Sequence, residues 1–113
     1  MTRGALPLGE PADHRPVPFT YMLRCSDGSY YVGSTRDLQR RVFEHNEGLG
    51  AVYTRKRRPV QLVWHAEYEC VADAFYWEKK IQSWSRAKRE ALIRGDFQAL
   101  PRLSKKRFPK ASS

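Results

Sequence analysis

The chain has 113 residues, with 21 Lys and Arg against 12 Asp and Glu and a formal net charge of +9. That length fits one domain, and 41% hydrophobic residues with 12% aromatics supply a core, which argues against a disordered chain. No apolar run reaches the roughly 20 residues of a membrane span, and the two cysteines, Cys25 and Cys70, fit a reduced cytoplasmic protein better than a disulfide scaffold.

Residues 1–18, with Pro7, Pro11, Pro16 and Pro18, read as an extended, disordered leader of balanced charge, without an apolar stretch of signal-peptide length. From Phe19 two β-prone runs flank Asp27-Gly28, a hairpin signal because glycine tolerates the positive φ such turns require. The spacing places Tyr21 and Tyr31 roughly opposite each other on the two strands, able to share one face. Asp37 to Gly48 is expected to be an amphipathic helix, capped by Thr35 or Asp37 and ended by Gly48 or Gly50. Leu38, Val42, His45 and Leu49 form its stripe.

Ala51 to Pro59 reads as a loop holding the one dense basic cluster, Arg55-Lys56-Arg57-Arg58. Val60 to Tyr68 alternates as a third strand. Val71 to Trp84 returns to helical spacing with Ala74, Trp77, Ile81 and Trp84 on one side, and Ser85 caps a last helix that Gly95 stops. The expected architecture is a small α/β sandwich, a three-stranded, mainly antiparallel sheet flanked by helices, over residues 19–95. Residues 96–113 form a basic tail, with five Lys and Arg and no acid from Pro101 onward.

Concentrated positive charge in a loop and a tail attracts polyanions, with nucleic acid the usual partner. No basic stretch carries a continuous apolar face, so a membrane surface is not the expected partner. Arg41 and His45, at i and i+4, are neighbours on one helix face. With Tyr21, Tyr31 and Glu78 they bring two phenols, a guanidinium, an imidazole and a carboxylate to the open side of the sheet. Taken singly, each of these has an ordinary structural role: core aromatic, helix ion pair, half-buried histidine, surface carboxylate. Zinc is not expected, since no Cys-x-x-Cys or His-x-x-x-His pairing exists. Trp64, Trp77 and Trp84 read as core; one exposed beside Arg55 to Arg58 would instead suggest base stacking.

Phe19-Thr20-Tyr21 and Tyr31-Val32-Gly33, at this separation, resemble the two tripeptides that name the GIY-YIG nuclease superfamily. The likeness continues through Ser34-Thr35, Asp37-Leu38, Arg41-Val42, His45-Asn46, Tyr53-Thr54, Arg58-Pro59, Leu62-Val63 and the helix bearing Glu78. In detail the chain looks like the short, stand-alone bacterial branch, whose larger relatives include homing endonucleases, restriction enzymes and a subunit of DNA excision repair. The resemblance implies an endonuclease that hydrolyses phosphodiester bonds in DNA, single-stranded or structured DNA included, with Mg²⁺ (or Mn²⁺) held by Glu78. It carries catalytic roles to Tyr21, Tyr31, Arg41, His45 and Glu78. The general base is a tyrosine, Tyr21 or Tyr31, with His45 orienting it or taking the proton itself.

Ser34 and Thr35 would offer hydroxyls or N–H groups to the phosphate or cap the following helix, and Arg55, Lys56, Arg57 and Arg58 would hold backbone phosphates. No recognition helix or zinc finger is available to read bases, so a protein partner would supply any sequence specificity. The alternative is a nucleic-acid-binding module that keeps the fold and does not cut; a protein-interaction adaptor is more distant. Where many larger relatives carry an asparagine beyond the glutamate, this chain has Gln82 and Ser83.

Overall fold

A computed structural model describes residues 17–101. Most of the expected leader and the greater part of the basic tail lie outside the described residues. Strand β1 (Phe19–Arg24) turns through Gly28, at φ 86°, into β2 (Tyr30–Thr35). Helices α1 (Leu38–Asn46) and α2 (Val52–Arg55) follow, then β3 (Gln61–Glu67), α3 (Val71–Gln82) and α4 (Arg86–Arg94). The sheet runs β2-β1-β3 with both pairings antiparallel, so β2 is an edge. This is the expected three-stranded α/β architecture.

Alternation along β1 divides the core into two halves, because successive side chains of a strand point to opposite faces. Tyr21 and Leu23 join Cys25 and Val60 on one face, covered by Leu38 and Val42 of α1. Met22 and Val32 join Ile81 and Leu92 on the other, covered by α3 and α4, with Trp64, Trp77 and Trp84 packed partly buried against them. Thr20, where the superfamily name has isoleucine, is fully buried on this second side. Its Oγ1 donates to the Ala74 carbonyl at 2.7 Å and ties α3 to the middle strand.

Local capping fixes the helix ends. Asp37 caps α1 through the Arg40 N–H, and Thr35 Oγ1 accepts from the Asp37 N–H at 3.1 Å, so both proposed caps contribute to the same turn. Ser85 caps α4, and Gly95, at φ 77°, closes it in the left-handed conformation. Packing continues beyond residue 95: the Asp96 N–H bonds to the Ala91 carbonyl, and Ala99 is buried.

Three expectations are corrected. Tyr31 pairs with Leu23, not Tyr21, whose partner across the strands is Gly33; the tyrosines share a face but sit on a diagonal. Leu49 lies beyond the end of α1 and is 70% exposed, so the buried stripe of that helix ends at His45. The basic segment is not all loop, since its first half is the single turn of α2. Among the described residues no helix is long and apolar enough to cross a membrane.

Candidate active site

The diagonal register sets the geometry over β2. Because Tyr21 faces Gly33, its ring lies across the edge strand where a side chain would otherwise stand. A Cβ built on Gly33 would come within 2.5 Å of the Tyr21 Oη. Glycine is needed there for close approach, not for an unusual backbone angle. The Tyr21 and Tyr31 rings lie 6.4 Å apart, and the His45 ring is 5.8 Å from the first and 5.2 Å from the second. Gly50 leaves the matching space on the far side of His45, since a Cβ there would collide with Nδ1.

His45 is completely buried and its two nitrogens are both engaged. Thr54 Oγ1 lies 3.1 Å from the Ala51 carbonyl, to which it can only donate, and 2.7 Å from His45 Nδ1, with which it can exchange a hydrogen bond in either direction. With the proton assigned to Nδ1, Nε2 is bare and accepts from the Tyr21 hydroxyl, which lies 2.8 Å away. In that assignment a chain of hydrogen bonds runs from Tyr21 through His45 and Thr54 to the Ala51 carbonyl, with every buried polar atom along it satisfied. Burial, reinforced by the Arg41 charge, pushes the His45 imidazole down to about 4. Burial pushes the Tyr21 phenol up to about 12 against the pull of the Arg41 guanidinium. Both effects hold the proton on Tyr21 at rest.

Arg41 stands at the mouth of this cluster. One nitrogen bonds Glu44 Oε1 at 2.9 Å, and the rest of the guanidinium reaches the Tyr21 phenol closely enough to oppose its rise in pKa. Tyr31 is raised by its own desolvation and by the Glu78 charge, and lowered by Arg41. Thus Tyr21, Tyr31, Arg41, His45 and Glu78 share one electrostatic neighbourhood, although Glu78 arrives from the opposite face of the sheet.

Glu78 bonds the edge strand β2 and its charge is felt by both tyrosines. Ser34 Oγ donates to its Oε1 at 2.6 Å, and Gln82 Nε2 donates to its Oε2 at 3.0 Å while also bonding the Val32 carbonyl at 3.1 Å. The carboxylate is therefore held at both oxygens by groups fixed to β2, with Lys79 Nζ at 3.9 Å. Among the described residues no three His, Cys, Asp or Glu cluster as a metal cage. A single carboxylate oriented at both oxygens is the kind of ligand that suits a hard cation keeping most of its waters.

The four basic residues expected to meet phosphate differ in their surroundings. Arg57 bonds Asp27 Oδ2 at 3.0 Å and the Tyr53 carbonyl at 2.8 Å, and lies 3.8 Å over the Tyr53 ring, which in turn stacks on Tyr31. Arg58 donates to the carbonyls of Arg55 and Asn46. Arg55, Lys56 and Arg58 line a recess of about 480 Å³ with Asn46 and Pro59. Of the two hydroxyls after Gly33, Ser34 holds Glu78 and Thr35 braces the α1 cap.

Thr54, Gly50 and Gln82 are the site residues that pattern reading did not assign. Only the neighbouring Tyr53-Thr54 pair and the polar character of Gln82 gave any sign of two of them.

Residues 17–91 match the GIY-YIG catalytic domain. A UPF0213 protein of Bacillus pumilus is 44% identical over 75 residues, covering 66% of this chain and 76% of that protein. Another, from Staphylococcus aureus, is 45% identical over 76 residues, covering 67% and 93%. Among solved structures, the protein EF2693 from E. faecalis is similar with a TM-score of 0.51 and 36% identity, over 73% of this chain and 88% of that one.

Proposed function

The chain belongs to the GIY-YIG catalytic-domain family, and on that premise we propose that it is a metal-dependent endonuclease acting on DNA. The single observation that supports this most is the buried hydrogen bond between Tyr21 Oη and His45 Nε2 at 2.8 Å, backed by the contact of Nδ1 with Thr54.

Hydrolysis of a phosphodiester requires a water to lose a proton as it attacks phosphorus. In this reading Tyr21 accepts that proton on its oxygen while its own proton passes to His45 Nε2, and the Nδ1–H of the resulting imidazolium stays bonded to Thr54. A phenol near 12 and an imidazole near 4 make a standing phenolate unfavourable. The two transfers are therefore concerted with attack, which requires the water within hydrogen-bond reach of Tyr21. Arg41 holds a non-bridging phosphate oxygen and meets the negative charge that grows there.

Tyr31, on the solvent side of the ring cluster, orients the incoming water. Glu78 would hold the cation, with Ser34 and Gln82 fixing the carboxylate. Bound there, Mg²⁺ or Mn²⁺ would supply positive charge to the phosphate and the leaving oxygen. Arg55, Lys56 and Arg58 offer a recess for backbone phosphate, giving affinity that falls with salt and little sequence preference. A protein partner would provide any sequence reading.

The test is cleavage of labelled single-stranded, duplex and branched DNA and of RNA by wild type and Tyr21→Phe. Loss of cutting in the variant with binding intact supports the reading. Salt-sensitive binding by wild type without cutting under any divalent metal replaces it with a binding module.

A further inference from the structure

Helix α3 presents an exposed aromatic and cationic face immediately beside Glu78. Ala74 and Ile81 turn into the core, whereas Phe75 and Tyr76 on the outer side remain 52% and 54% exposed. At 100° per residue, Gln82, Phe75 and Lys79 follow Glu78 in sequence around the helix, and Ala72 and Tyr76 come next. Lys79 Nζ is the same amine that approaches the Glu78 carboxylate.

The face has a built form. Ala72, Phe75, Tyr76, Lys79 and Lys80 line a shallow, open recess of about 520 Å³. The Tyr76 ring is braced edge-on by Trp77, which is anchored against the core, at 5.3 Å and 88°. Lys79 lies 4.8 Å over the Phe75 ring and Lys80 5.8 Å over the Tyr76 ring. Each aromatic thus has an ammonium four residues on, one helical turn away. Such a pairing offers a flat apolar surface for a base and a mobile cation for the adjoining phosphate.

We propose that this face of α3 is a nucleotide-binding surface of the substrate strand, in which Phe75 and Tyr76 stack an unpaired base flanking the cleaved phosphate and Lys79 and Lys80 take the neighbouring phosphates. The inference rests on the nuclease reading for the position of the cleaved bond. Its occupant follows from continuity with Glu78 and from complementarity of charge. Bases already stacked within a duplex have no free face to give these rings, so the surface favours strands with unpaired bases.

The experiment measures affinity in EDTA for one sequence presented as a labelled single strand and as a duplex, and cleavage of each with Mg²⁺ or Mn²⁺. It compares wild type, Phe75→Ala, Tyr76→Ala, and Lys79→Gln with Lys80→Gln, each checked for an unchanged thermal transition. Each ring loss weakens single-strand binding about tenfold and leaves duplex binding within about twofold. The lysine variant lowers the salt dependence of binding.

Wild-type affinity in the ring variants overturns the surface while leaving the nuclease reading intact. Ring-dependent binding by a wild type that never cuts upholds the surface and overturns the nuclease reading. Self-association that depends on the rings, with nucleic-acid affinity unchanged, reassigns the face to a second copy of the chain and overturns the proposal.

Discussion

The Tyr21 hydroxyl and His45 Nε2 are hydrogen-bonded at 2.8 Å in a fully buried position, and the far nitrogen of the same ring is held by Thr54 at 2.7 Å. Tyr21→Phe keeps the ring and its packing but removes the proton carrier. Cleavage should fall by about 10²- to 10⁴-fold, the usual worth of a positioned acid or base, with binding in EDTA unchanged. Leaving Nε2 without a donor in a fully buried position costs about 1–3 kcal/mol of stability, measurable by urea denaturation.

The same histidine makes stability depend on pH. Its folded pKa, near 4, lies below the ordinary 6.5, so between those values the unfolded chain binds the extra proton and the folded chain does not. Stability is fully present above about 6.5 and falls as pH drops toward 4, by about 3 kcal/mol at most. Urea midpoints taken across that range should show the decline in wild type. They should show a shallower one in His45→Gln, whose amide does not titrate.

Gly33→Ala tests the close approach at the edge strand. Its methyl group would sit 2.5 Å from the Tyr21 Oη, so the phenol must move away from His45. The expected outcome is a folded protein weakened by about 1–3 kcal/mol, with a much larger loss of cleavage than of stability. Retention of wild-type activity would mean that the position of Tyr21 over β2 is not what matters.

Gln82 bridges the Val32 carbonyl and the Glu78 carboxylate, so Gln82→Leu frees one carboxylate oxygen without touching the rings. A titration of cleavage against Mn²⁺ should shift to about tenfold higher metal concentration, in the range for groups that orient metal ligands. Gln82→Glu would instead place a second carboxylate beside Glu78, and an unchanged metal titration in both variants would remove Gln82 from the site.

What could be read in the sequence was local. Asp37, Ser85 and Gly95 announce helix ends because capping is satisfied within a turn. The β-prone run around Tyr21-Met22-Leu23, followed by Asp27-Gly28, announces the first strand of a hairpin. The register was not legible to one pair, since the connection through Gly28 decides whether Tyr21 meets Tyr31 or Gly33. Leu49 matched the helical period and still fell outside the helix, because Gly48, at φ 82°, had already ended it.

Within the site, the residue types of Tyr21, Arg41, His45 and Glu78 were visible. Thr54 and Gly50 were not assigned, because each meets His45 only through tertiary packing; Gln82 was visible as a polar residue beyond Glu78, but its bond to the Val32 carbonyl of β2 was not legible. Charge counting likewise found Arg57 and Arg58 but could not tell that their guanidiniums bond Asp27 and main-chain carbonyls.

The most direct test of the account is the cleavage of labelled DNA by wild type and Glu78→Gln, with Mg²⁺, Mn²⁺ or EDTA. Wild type should cut only with metal, and Glu78→Gln, which keeps a similar shape and partners for Ser34 and Gln82, should bind DNA normally and fail to cut with either metal. Cutting by Glu78→Gln at the wild-type rate, or cutting by wild type in EDTA, would contradict a metal-dependent nuclease built around this carboxylate.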